Sequence, residues 1–246
     1  MEFKGIIFDY GGTLDTGGCH WGKMIWHAYE RNNVPVSEGM FREAYVFAER
    51  KLGANFIIQP DHSFYKTLEI KLTLEFEYLS TKGFLSATGF NLVSMKNAVL
   101  IDLYENVRKH TAHSREVLLK LKGKYPLVLV SNFYGNISVV LNEFGFDNLF
   151  VGIVESAVVN VRKPDPAIFQ LGVTALNMTP EDVVVVGDSY AKDIVPAHSI
   201  GCKTVWIQGE GWTNEVHPVS IADVIIQDIA QLLQVDNEEI FKLNNK

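Results

Sequence analysis

Asp9 stands at the end of a short apolar run, Ile6-Ile7-Phe8, and is followed by Tyr10-Gly11-Gly12-Thr13-Leu14. A carboxylate at the carboxyl end of a buried strand lies on the edge where α/β sheets do chemistry. The glycines after it let the backbone curl around whatever the acid touches. Three more stretches follow the same plan. Leu127–Val130 ends in Ser131-Asn132, and Val151–Val154 leads on to Arg162-Lys163-Pro164-Asp165-Pro166. Val183–Val186 runs into Gly187-Asp188-Ser189, with Asp193 five residues after Asp188. One nucleophilic carboxylate, one hydroxyl, one lysine and two further acids on one sheet edge suit phosphoryl transfer, where catalysis is mostly positioning and charge neutralisation.

These residues meet only if the runs that carry them are neighbouring strands. Gly5–Phe8, Leu127–Val130, Val151–Val154, Val183–Val186 and Thr204–Ile207 are continuous, mostly β-branched runs bounded by turns, as buried parallel strands are. Ala222–Ile226 is a weaker sixth. Helical patterns at Ser114–Lys122, Ile137–Phe144, Ala167–Leu176 and Ile194–Ser199 alternate with them. The alternation predicts an α/β fold, a Rossmann-like doubly wound parallel sheet.

Residues 17–111 read differently. Trp21–Arg31, Glu38–Leu52, Ser63–Leu79 and Leu92–Lys109 carry the helical period, with Ser37 and Asp61 as expected N-caps and no convincing strand. An all-helical block thus interrupts the α/β pattern after its first strand. The expected division is a core of 1–16 and 112–246 and a cap of 17–111, hinged near Thr16–Gly18 and His110–His113. Trp21, Ile25 and Ala28 share one helical face, as do Phe41, Tyr45 and Ala48, and both faces are expected to form cap core.

Composition excludes several classes. The 246 residues are 47% hydrophobic, enough for a substantial core and against disorder. A net charge of −7 argues against nucleic acid or an acidic membrane as partner. No apolar run reaches the length of about 20 residues that spans a bilayer. Cys19 and Cys202 are far apart and in no CxxC pattern, so they read as reduced structural thiols. With a strand already inside the first ten residues, no signal peptide is expected, and the reading is cytoplasmic.

The four strand-end motifs in order, Asp9-x-x-Gly12-Thr13, Ser131-Asn132, Lys163-Pro164-Asp165-Pro166 and Gly187-Asp188-Ser189-x-x-x-Asp193, resemble those of the haloacid dehalogenase-like hydrolase superfamily. The resemblance covers the whole core, and the helical insert sits where that family carries its cap. It implies that Asp9 attacks phosphorus to form an aspartyl-phosphate. It implies that Asp9, Asp188 and the backbone carbonyl of Gly11 bind Mg²⁺, a hard ion that prefers oxygen ligands. Ser131, with Asn132, then holds the phosphoryl group, and Lys163 stabilises its transition state. Asp193 orients Lys163 or a metal-bound water, while Thr13 and the amides of Tyr10 and Gly11 cradle phosphate. The implied substrate is a small phosphorylated metabolite.

Position 11 departs from the pattern. Phosphatases of this superfamily usually carry a second aspartate there, which protonates the leaving oxygen and then activates water. Gly11 can do neither. Asp15, His20 or a cap residue is the candidate substitute; alternatively the substrate has a good leaving group, or catalysis is weak or lost. The dehalogenase branch also lacks the second aspartate, but a metal-free dehalogenase has no use for Asp188. The resulting expectation is a Mg²⁺-dependent phosphatase. A metal-independent 2-haloacid dehalogenase and a degenerate core that binds a phosphorylated ligand or protein without turnover are the alternatives.

Overall fold

The computed structural model describes residues 3–86, 90–213 and 220–233; the extremities of the expected core, 1–2 and 234–246, lie outside the described residues. Six strands, β1 (Gly5–Phe8), β2 (Leu127–Ser131), β3 (Gly152–Glu155), β4 (Val183–Gly187), β5 (Lys203–Ile207) and β6 (Val224–Ile226), form one sheet. Every pairing is parallel and the order is β3-β2-β1-β4-β5-β6. This is the strand order of a doubly wound Rossmann-type sheet, whose ligands bind at the carboxyl ends of the strands where the order reverses. Here that point is β1, which lies between β2 and β4. Phe8 is level with Leu129 on one side and Val186 on the other, so Asp9, Ser131 and Asp188 emerge at one edge.

The helices are α1 (Trp21–Arg31), α2 (Glu38–Ala54), α3 (Phe64–Thr81), α4 (Phe90–Lys122), α5 (Ile137–Glu143), α6 (Ser156–Val159), α7 (Ala167–Leu176) and α8 (Val195–Ser199). Successive strand side chains point to opposite faces. Ile7, Val128, Val130 and Val185 pack with Phe169 and Val173 of α7. Phe8, Leu129 and Val186 join the other face, whose apolar cluster continues through Leu103, Val107 and Leu118 of α4 into Ile25, Tyr29, Phe41 and Phe76 of α1–α3. Both cysteines are free, Cys202 within the first cluster. No helix among the described residues is long and apolar enough to cross a membrane.

Two local expectations are corrected. The helices expected at Leu92–Lys109 and Ser114–Lys122 are one: α4 runs through His110–His113 without interruption, from the helical region onto the sheet. Thr111 bonds back to the Val107 carbonyl at 2.8 Å, a bond compatible with a continuing helix. The N-cap of α3 is Ser63 rather than Asp61; its hydroxyl accepts from the Lys66 N–H. Glu143 of α5 accepts from the Phe64 and Tyr65 N–H groups of the same helix end, a long-range cap.

Candidate active site

Asp9 leaves β1 almost buried, with its N–H on the Val186 carbonyl at 3.0 Å. Its two oxygens meet different partners. Lys163 Nζ donates to Oδ1 at 2.5 Å, and the Thr13 hydroxyl lies 3.1 Å from Oδ2. Lys163 also donates to Asp193 Oδ1 at 2.6 Å, and its ammonium sits 5.3 Å over the Phe169 ring. Burial opposes the charged form of Lys163, but Asp193 and Asp9 outweigh it and hold the ammonium above the ordinary lysine value.

Thr13 ties the cluster together from behind. Its hydroxyl accepts from the Asp188 N–H at 3.0 Å and lies 3.2 Å from Asp188 Oδ1. The residue is fully buried, so it is a strut between Asp9 and Asp188 and not part of the surface that faces a ligand. Two glycines make the close approach possible. Gly12 has φ +101°, and a Cβ there would lie 2.4 Å from the Asp188 carboxyl group. A Cβ on Gly187 would lie 2.4 Å from Asp193 Cβ. Any side chain at either place would displace an acid of the site.

The carboxylates of Asp9, Asp188 and Asp193 each offer an oxygen within 4.8 Å of the others. Burial first, then repulsion from Asp9 and Asp193, holds the Asp188 carboxyl well above the usual carboxylate range. Asp193 is pushed up to about 6, chiefly by burial and against the pull of Lys163. Its second oxygen accepts from the Ser189 N–H at 3.0 Å, so both Asp193 oxygens have a hydrogen-bond partner within the protein. Three carboxyl groups share one ammonium in this enclosure, an oxygen donor set of the kind a hard dication takes, and a dication there would favour the ionised forms that burial opposes.

The remaining sequence candidates differ in how they meet this cluster. Ser131 closes β2, and its hydroxyl has no protein hydrogen-bond partner among the described residues although it borders the cavity in front of Asp9. The Asn132 side chain is committed elsewhere: it accepts from the Lys163 N–H at 2.9 Å and donates to the Lys163 carbonyl at 3.1 Å. It therefore positions Lys163 and leaves only its backbone for a phosphoryl group. The Tyr10 side chain is buried away from the site. Among the described residues the N–H groups of Tyr10 and Gly11 donate to no protein acceptor.

Neither named substitute for the proton donor reaches the reacting edge in the form required. Asp15 is fully buried, accepting from the Gly12 N–H at 2.7 Å and from Trp21 Nε1–H at 3.0 Å. Burial pushes its carboxyl up to about 8, but it lies behind Trp21 and does not border the cavity. His20 does border the cavity as the N-cap of α1, its Nδ1 accepting from the Gly22 N–H at 3.0 Å. Burial, then Lys192 and Lys71, lower its imidazole to about 4, so it is neutral at pH 7 and carries no acidic proton.

The cavity of about 960 Å³ lies between the strand ends and α1–α3. Ile25, Ala28, Phe41 and Ala48 are core, as expected, but Trp21 and Tyr45 from the same faces border the cavity. Glu49 and Lys71 border it as well, in direct ion-pair contact from α2 and α3. No sequence signal pairs them: they lie on different helices, and each reads in isolation as an ordinary charged position on a helix surface.

Comparison with known proteins agrees with this architecture. A family model described as haloacid dehalogenase-like hydrolase matches residues 3–201. A phosphoglycolate phosphatase of Haemophilus influenzae (strain 86-028NP) is 30% identical over 95% of this chain and 98% of its own length. One of Pasteurella multocida is 31% identical over the same shares. Among solved structures, a predicted phosphoglycolate phosphatase from Haemophilus somnus 129pt superposes with a TM-score of 0.55 at 24% identity, covering 95% of this chain and 98% of that one. A dehalogenase superposes with a TM-score of 0.61 at 16% identity, covering 96% and 98%. Likeness at these identities speaks for the fold and does not choose between the two chemistries. With the family match running from β1 through β4 and over every strand-end motif, the chain belongs to the haloacid dehalogenase-like hydrolases.

Proposed function

We propose that the chain is a Mg²⁺-dependent phosphatase that acts on a small phosphorylated metabolite through an aspartyl-phosphate on Asp9. The observation that carries this reading is the enclosed group of three carboxylates against one ammonium. A metal-free dehalogenase needs Asp9 but has no reason to bury Asp188 beside it, whereas a dication held by oxygens does. Asp9, Asp188 and the Gly11 carbonyl are the residues that would hold the ion. A magnesium ion bound there supplies charge neutralisation between a carboxylate nucleophile and phosphoryl oxygens. The phosphoglycolate phosphatases to which the chain is similar support the choice of phosphorus as the reacting atom.

The chain's own residues account for most of the reaction. A carboxylate oxygen of Asp9 attacks phosphorus, the bond from phosphorus to the organic oxygen breaks, and that oxygen leaves with the electron pair. Lys163 and the Ser131 hydroxyl stand where negative charge develops on the phosphoryl oxygens, joined by the unpaired N–H groups of Tyr10 and Gly11. Water then attacks phosphorus, releasing inorganic phosphate and regenerating Asp9. No side chain at position 11 protonates the departing oxygen, so acyl or aryl phosphates are the favoured class. The helical region over the cavity excludes bulk water from the intermediate.

The test is hydrolysis of acetyl phosphate and p-nitrophenyl phosphate, with and without a chelator, by wild type and Asp9→Asn. Turnover that disappears with chelation and with the substitution is expected. Metal-independent chloride release from a 2-chloro acid would replace this reading with the dehalogenase. Mg²⁺ and phosphate binding without turnover on either substrate would replace it with the degenerate core.

A further inference from the structure

Away from Asp9, Lys163, Asp188 and Asp193, the cavity wall is strongly unbalanced. Among the described residues its charged side chains there are Arg50, Lys71, Arg162 and Lys192 against the single carboxylate of Glu49. Three positive charges thus remain after Glu49 is counted, on a chain whose net charge is −7. The reacting cluster does not need them: its own lysine, with the dication proposed above, already balances the three aspartates before phosphate arrives.

Three of these cations face one space from opposite walls. Lys71 reaches in from α3, nine-tenths buried, with its ammonium 5.0 Å from the Tyr45 ring centroid and in contact with Glu49. Lys192 follows β4 and Arg162 precedes Lys163, and among the described residues neither side chain has a hydrogen-bond or ion-pair partner. Burial works to raise the Glu49 carboxyl, and Lys71, then Lys192, override it. The Tyr134 hydroxyl, 3.5 Å from Glu49, is pushed up to about 12 by burial while Lys71 and Arg162 oppose the rise. Lys71 and Lys192 therefore act on Glu49 together, and Lys71 and Arg162 on Tyr134. Glu49 keeps 36% of its side chain open, although protein surrounds it, because it faces the cavity.

The Trp21 indole links this space to the reacting edge. Its ring centroid lies 5.8 Å from Lys71 Nζ, and its Nε1 lies 3.7 Å from where a Cβ on Gly11 would stand. A molecule with its phosphoryl group at Asp9 would pass along Trp21 and end among Lys71, Arg162 and Lys192.

We propose that these three side chains form a second anion subsite, which takes a carboxylate or a second phosphate on the organic part of the phosphorylated substrate. The inference rests on the phosphatase reading for what occupies Asp9, but it makes a separate claim about the far end of the cavity. Glu49 holds Lys71 in place when the subsite is empty. Arg162 and Lys192 supply the charge that an incoming anion meets, with Arg162 able to grip either oxyanion through two parallel N–H groups.

The test uses three probes of equal chain length: propyl phosphate, 3-(phosphonooxy)propanoate and propane-1,3-diol bisphosphate. Each is titrated calorimetrically into Asp9→Asn with Mg²⁺, which reads binding without turnover. The subsite predicts that one or both anionic probes bind at least about tenfold tighter than propyl phosphate, the better of the two identifying the anion. It predicts that this ratio falls below about threefold in Asp9→Asn carrying Arg162→Gln and Lys192→Gln. Equal affinity for all three probes, or a ratio that survives the double substitution, overturns the subsite. Hydrolysis of acetyl phosphate by wild type is scored separately, so failure of the phosphatase reading is distinguishable from failure of the subsite.

Discussion

An aspartate at position 11 isolates the proton step. The backbone there does not require glycine: Gly11 is absent from the positions with positive φ. A Cβ on Gly11 would meet nothing nearer than Trp21, at 3.7 Å to Nε1 and 3.8 Å to Cδ1, which is ordinary contact. Gly12 next to it has no such freedom, so the substitution belongs at 11 and nowhere else in the turn. A positioned proton donor is typically worth about 10²–10⁴-fold. That corresponds to about 3–5 kcal/mol of the barrier. The gain depends on how badly the leaving oxygen needs a proton. Ethyl phosphate must expel ethoxide, a poor leaving group, whereas p-nitrophenoxide and acetate leave unaided. Gly11→Asp is expected to raise kcat/KM for ethyl phosphate by about 100-fold, and to change that for p-nitrophenyl phosphate by less than about threefold. Release of inorganic phosphate across a series of monoesters measures both, with circular dichroism and Mg²⁺ titration confirming that the variant is folded and loaded. Two results refute the reasoning. One is a wild type whose rates ignore the leaving group while chemistry limits turnover. The other is a folded, metal-binding variant whose ethyl phosphate rate has not moved.

Thr13→Val removes the strut between Asp9 and Asp188 and leaves the Asp188 N–H without its acceptor. It should cost about 1–3 kcal/mol of stability in thermal unfolding. It should also weaken Mg²⁺ affinity by about tenfold or more, with Thr13→Ser restoring both; unchanged metal affinity counts against the strut. Glu75 of α3 is fully buried, with one oxygen accepting from the Tyr29 hydroxyl at 3.0 Å and the other without a partner among the described residues. Burial pushes its carboxyl up to about 8 from 4.5, against the pull of Lys71 and of the Tyr29 bond. The folded form keeps this proton after the unfolded chain has lost it, so the group makes stability fall as pH rises from about 4.5 to 8. Glu75→Gln should flatten the fall in melting temperature across that window; an unaltered slope would show that Glu75 does not titrate there.

The sheet and its reacting edge were legible because continuous apolar runs leave few alternatives for a chain of this length. Asp9, Ser131, Lys163 and Asp188 follow such runs, and parallel strands carry their ends to one side. What the sequence concealed depended on contacts between distant segments. Glu143 caps α3 from another helix, while Ser63 and Asp61 are equally good N-caps when read alone. The stretch His110-Thr111-Ala112-His113 contains neither glycine nor proline. A hinge was expected there from domain logic, and nothing in its residue types breaks a helix. At the site, Thr13 and Asn132 were expected to touch phosphate, yet each makes its hydrogen bonds to other site residues. The pairing of Glu49 with Lys71 and the turn of Trp21 into the cavity are consequences of how three helices pack, which local pattern does not encode.

The most direct measurement is acid-quench trapping of the enzyme during turnover of acetyl phosphate with Mg²⁺, followed by peptide mass spectrometry. The account predicts one phosphoryl group, on the peptide that begins the chain, localised to Asp9 and absent when Asp9→Asn is treated in the same way. Turnover with no phosphorylated Asp9 at any quench time, or a phosphoryl group on another residue, would contradict it.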